Sequence, residues 1–145
     1  MKHAIKLFLV LVILAVSSPA AGQDAAVQDT LLTPAQWMEF NENIAEAILS
    51  ENEGVKVGAL RQIIRYGHFL DMDRVSSFDV MRIYRNHKDD PMRRMAVLAL
   101  GNMEDRWAVE FLDMLSEYEE SETIRKTMEE VVNAYWEAHG GNPYQ

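Results

Sequence analysis

The sequence predicts an all-α fold, an α-solenoid of about three stacked helical hairpin units. Three observations predict it. An apolar residue followed by a basic one opens a helical stripe at Val55-Lys56, Met92-Arg93 and Ile124-Arg125. From each start, apolar positions recur four and eight residues on, at Ala59 and Ile63, Ala96 and Leu100, and Met128 and Val132, and the starts lie 37 and 32 residues apart. No stretch shows the two-residue alternation of a half-buried strand. Repetition at this period marks a stacked helical array, in which each unit buries its neighbour's apolar face. The alternative is a closed helical bundle, which has no reason to restart the same pattern.

Residues 1–22 read as a secretory signal peptide. Lys2, His3 and Lys6 give a positive start, Leu7 to Val16 an apolar run, and Ser17 to Gly22 a small-residue exit. Ten apolar residues make about 15 Å of helix, too short for a bilayer core of about 30 Å. The mature protein is thus expected to be exported, periplasmic or secreted, with no membrane association after cleavage. Residues 23–32 carry no periodicity and form a loose leader.

The helical domain spans residues 33–139. Its first helix opens on Thr33, with Pro34 at the first helical position and Gln36 placed for a capping box. Trp37, Phe40, Ile44, Ala45, Ile48 and Leu49 form its stripe. The second helix carries Val55, Ala59, Leu60, Ile63 and Ile64; Gly58 inside it marks close approach of a neighbour, and Gly67 ends it in the left-handed conformation. Ser76, followed three residues later by Asp79, starts the third helix, with Val80, Met81, Ile83 and Tyr84 inward. Asp90-Pro91 starts the fourth, an acid cap before a proline, and Met92, Met95, Ala96, Ala99, Leu100 and Met103 follow. Gly101-Asn102 loosens the chain for a turn. The fifth helix carries Trp107, Ala108, Phe111, Leu112, Leu115 and Tyr118, and the sixth Ile124, Met128, Val131, Val132 and Tyr135. Trp37 and Trp107 are expected in the core, while one of Tyr135 and Trp136 faces solvent. Residues 140–145 form a frayed tail.

Composition limits the chemistry. There is no cysteine, hence no disulfide and no thiolate metal site. Removing Lys2 and Lys6 from the 14 basic residues leaves 12 against 23 acidic ones, a net charge of −11 that repels nucleic acid. The charge is uneven: residues 24–60 sum to −6, residues 61–103 to +3 and residues 104–145 to −8. Arg61, Arg65, Arg74, Arg82, Arg85, Arg93 and Arg94 supply the basic middle. They are either solubilising helix-face charges or a basic stripe suited to an acidic partner segment.

Residues 52–139 resemble the short bacterial HEAT-repeat family, also called PBS-lyase HEAT-like. The stretch Asp89-Asp90-Pro91-Met92-Arg93-Arg94-Met95-Ala96-Val97-Leu98-Ala99-Leu100-Gly101 carries the resemblance, and Trp107 to Leu112 is similar to the second helix of such a unit. Gly58 and Leu60 interrupt the first unit, and Lys126-Thr127 with Glu129-Glu130 make the third more polar. The resemblance implies an α-solenoid whose second helices line a concave face used for protein binding. On that face would stand Arg74, Arg82 and Arg85 from one unit and Glu110, Asp113 and Glu117 from the next, a partner-binding set for a polypeptide.

Other chemistry is thinly represented. There is no Gly-rich phosphate loop, no Gly-x-Ser-x-Gly elbow and no His-Glu-x-x-His pair. The serines fall at caps, turns and helix ends, where structure explains them. The expectation is therefore no enzyme and no cofactor, but an exported interaction or scaffold module. The alternative is a periplasmic metal-binding or carrier protein using His68, Asp71 and Asp73, which requires those three side chains to converge. The eight methionines left after cleavage include Met92, Met95 and Met103, whose helical spacing fits core packing better than thioether ligation.

Overall fold

The computed structural model describes residues 32–142; the expected signal peptide and residues 23–31 of the leader lie outside the described residues. Within them the fold is all-helical: α1 (Pro34–Ile48), α2 (Glu53–Tyr66), a 3-10 turn (Gly67–Phe69), α3 (Arg74–Asn86), α4 (Asp90–Asn102), α5 (Arg106–Ser116) and α6 (Glu122–Ala138). No helix among the described residues is long and apolar enough to cross a membrane.

Local chemistry sets the helix starts. The capping box of α1 is formed: the Gln36 N–H donates to Thr33 Oγ1 at 3.3 Å, and the Thr33 N–H donates to Gln36 Oε1 at 2.8 Å. Asn52 caps α2 by accepting from the N–H groups of Gly54 and Val55. Two expected starts move. Asp73, not Ser76, caps α3, and its carboxylate accepts from the Ser76 N–H at 2.8 Å. Asp89, not Asp90, is the N-cap of α4; its side chain makes no capping bond, and its N–H donates to His87 Nδ1 at 3.1 Å.

The helices pair as α1 with α2, α3 with α4, and α5 with α6. The close antiparallel partner of α4 is thus α3 rather than α5. In addition α4 packs on both α2 and α6, so it is the most enclosed helix. Leu60 and Ile63 of α2, Ala96, Val97, Ala99 and Leu100 of α4, Leu112 of α5 and Ile124 and Met128 of α6 are buried almost completely. Each large side chain among them contributes about 1.5–3 kcal/mol by leaving water.

Three glycines are used differently from expectation. Gly67 has a right-handed φ of −51°, so left-handed freedom is not its purpose. A Cβ there would stand 2.1 Å from the Asn102 carbonyl oxygen, so the end of α2 lies directly against the end of α4. Gly101 belongs to α4 rather than to a turn, and its Cβ would stand 2.5 Å from Val131 Cγ1 of α6. Gly58, by contrast, faces open space. The turn after α4 is made by Glu104, at φ 54°.

Several stripe residues also differ. Tyr135 and Trp136 are both buried, so neither faces solvent. Trp37 and Trp107 are only half-buried, as is Phe111. Val55, Leu49 and Tyr118 are exposed, the last because α5 stops at Ser116.

Candidate functional site

The layer formed by α3 and α5 carries the expected partner-binding residues. Both helices start at the same end of the fold. Arg74 Nη2 at the start of α3 lies 3.7 Å from Asp105, the N-cap of α5, and its guanidinium stands over the Trp107 ring at 5.9 Å. One turn further, the Phe78 ring lies 4.4 Å from that of Trp107, which stacks on Phe111 at 5.3 Å and 20°. This aromatic row joins the two helices on their outer side.

Helical spacing puts Val75, Phe78, Arg82 and Arg85 on one outward stripe of α3, and Trp107, Glu110, Met114 and Glu117 on one outward stripe of α5. All four on α3 are exposed, with Phe78 at 48% and Val75 at 64%, and on α5 Met114 is 52% exposed. The surface is apolar near the helix starts and charged beyond, basic on α3 and acidic on α5. The apolar members were missed by reasoning that assigned Trp107 and Phe111 to the core. Their signal was present in the sequence, because Val75 and Phe78 share the spacing of Arg82 and Arg85.

Four of the six expected charged residues line two depressions rather than one. Arg82 is ion-paired with Asp79 on its own helix and lines a hollow with Ile48, Leu49, Lys56 and His87, between α1, α2 and α3. Glu110, Asp113 and Glu117 line another with Met114 and Trp136, between α5 and α6. Glu110 accepts from Arg106 Nε at 2.8 Å, and Arg106 stands 5.4 Å over the Trp136 ring. Arg85 is exposed and forms no ion pair among the described residues.

The metal-carrier arrangement is not formed. No three His, Cys, Asp or Glu side chains among the described residues are grouped to hold an ion. The Asp73 carboxylate is turned into the start of α3, where the Ser76 N–H and then the Ser76 hydroxyl hold its carboxyl below the usual aspartate range. The His68 ring lies against Phe69 at 3.9 Å, and Asp71 meets α1 through its backbone carbonyl, which accepts from Asn41 Nδ2 at 2.9 Å. Met92 and Met103 are core residues.

No protein-family model, curated protein or solved structure matches the chain.

Proposed function

We propose that the mature chain is an exported, non-enzymatic helical-repeat module of the α-solenoid type, which docks a polypeptide across the α3/α5 face. The pairing of α4 with both α2 and α6, hairpin upon hairpin, supports the stacked arrangement. The observation that carries the binding reading is the row of exposed Phe78 and half-buried Trp107 and Phe111, with Arg74 against it. Aromatic and arginine side chains dominate binding energy at protein interfaces, because they bury much area for little ordering cost. Opposite charges on α3 and α5 would fix the partner's direction across that row.

The test is capture of polypeptides from envelope extract by the immobilised mature protein. Reversal of Arg82 and Arg85 to glutamate should weaken capture while leaving the melting temperature nearly unchanged, and Phe78→Ser should weaken it with a loss of only about 0.5–1.5 kcal/mol from the broken contact with Trp107. Exposed charges contribute only about 0–1 kcal/mol to stability. Retention of every captured protein by both variants would overturn the reading.

A further inference from the structure

The opposite layer, α2, α4 and α6, holds a second feature. Ile64 of α2, Pro91, Met95 and Leu98 of α4 and Ile124 of α6 line an apolar groove of about 420 Å³ with Arg94 at its side. This is the size of a small-ligand site rather than of a cleft for a helix.

Arg94 differs from its neighbour Arg93. All three nitrogens of Arg93 are engaged, by the Tyr84 carbonyl, Asp90 and Glu119. Arg94 donates through Nε to Thr127 Oγ1 at 2.9 Å, and the Thr127 hydroxyl donates in turn to the Thr123 carbonyl at 2.8 Å. Thr127 is buried, so it fixes the guanidinium plane without neutralising it. The two terminal nitrogens have no carboxylate partner among the described residues. Asp90, the acid on the rim, is already engaged by Arg93. An oriented guanidinium fork with its outer nitrogens unused matches a carboxylate in two-point geometry.

We infer that this groove binds a small single-chain alkyl carboxylate, its chain along Ile64, Met95 and Leu98 and its carboxylate on the terminal nitrogens of Arg94. A single cation beside an apolar groove of this size calls for one anionic head on one apolar tail. The inference stands apart from the α3/α5 face and does not depend on it.

The test is calorimetric titration of the mature protein with octanoate and decanoate below micelle-forming concentrations, with decanol as the neutral twin. Decanoate should bind several-fold more tightly than octanoate, because the added methylenes leave water. Decanol should bind at least tenfold more weakly than decanoate. Arg94→Gln should abolish that preference with an unchanged thermal melt, since Arg94 is exposed, and Leu98→Asp, at a half-buried position, should abolish binding in a protein that still melts cooperatively. Absence of decanoate binding, or binding untouched by either substitution, would overturn the proposal. So would displacement of decanoate by a peptide with a free apolar C-terminus but not by its amidated twin, which would assign the groove to polypeptide ends.

Discussion

Tyr84 on α3 and Arg93 on α4 meet on a single carboxylate, that of Glu119 in the turn between α5 and α6. The Tyr84 hydroxyl donates to Glu119 Oε2 at 2.9 Å, and Arg93 Nη2 donates to the same oxygen. The other oxygen accepts from the Ser121 N–H at 3.0 Å, at the start of α6. The Glu119 side chain is only 3% exposed and that of Arg93 20%, so three helices are joined through a largely dehydrated ion pair. Removing Glu119 takes from Arg93 its buried partner, leaving it only the exposed Asp90, and takes from Tyr84 its acceptor. Glu119→Ala is therefore expected to cost about 3 kcal/mol or more, read from urea unfolding. Tyr84→Phe should cost about 1 kcal/mol, and less in the Glu119→Ala background, because the hydroxyl has then lost its acceptor.

Two glycine substitutions should have opposite signs. Gly67→Ala drives a methyl into the Asn102 carbonyl, and the ends of α2 and α4 must separate, a loss expected at roughly 1–3 kcal/mol or more. Gly58→Ala adds a methyl into open space inside a helix and should stabilise by about 0.4–1 kcal/mol. Thermal melts of the two variants check this directly.

In the core, Leu100→Ala should cost about 2–5 kcal/mol, as its side chain is fully enclosed. Phe111→Ala should cost less than the roughly 3–5 kcal/mol of a fully buried phenylalanine, because one side of its ring is open to solvent. Ser77→Ala should be neutral or stabilising. The Ser77 hydroxyl is buried with no hydrogen-bond partner among the described residues, so its removal takes away an unsatisfied group.

Stability should fall at both ends of the pH range for identifiable reasons. The folded pKa of Asp73 is depressed, so its contribution is fully present above the ordinary aspartate value of about 3.9 and is lost as the pH falls through the lower folded value. Glu53 and Glu122 are depressed likewise, chiefly by hydrogen bonds from Lys56 and Arg125 respectively. Asp73→Asn should therefore flatten part of the acid limb of a stability–pH curve. Tyr84 is raised well above the usual phenol range, first by burial and then by the Glu119 hydrogen bond and charge. Its contribution is present below about pH 10 and declines as the pH rises towards the folded value. Tyr84→Phe should remove that alkaline loss.

Much of the helical framework was legible in the chain. Four- and eight-residue recurrences such as Met92, Ala96 and Leu100 record a buried stripe, and Thr33-Pro34-Ala35-Gln36 records a cap. Both are local, so the sequence displays them. Features set by contacts between distant segments were harder to read. The reason for Gly67 lies at Asn102, and that for Gly101 at Val131. A half-buried aromatic such as Trp107 has the same helical spacing as a core residue, and only the neighbouring α3 shows that its outer side is open. The arginines divided on the same ground: Arg93 is held by Glu119, 26 residues on, whereas Arg85 has no ion pair among the described residues.

The most direct measurement of the proposed interaction face is site-specific photo-crosslinking in the cell that produces the protein. A photoreactive phenylalanine analogue placed at Phe78, and separately at Met114, samples the aromatic and acidic parts of the face; one at Glu129, on the outer side of α6, serves as the control. The same discrete polypeptide adducts from positions 78 and 114, absent from position 129, are the expected result. No adduct from either test position, or an identical pattern from all three, would contradict the account.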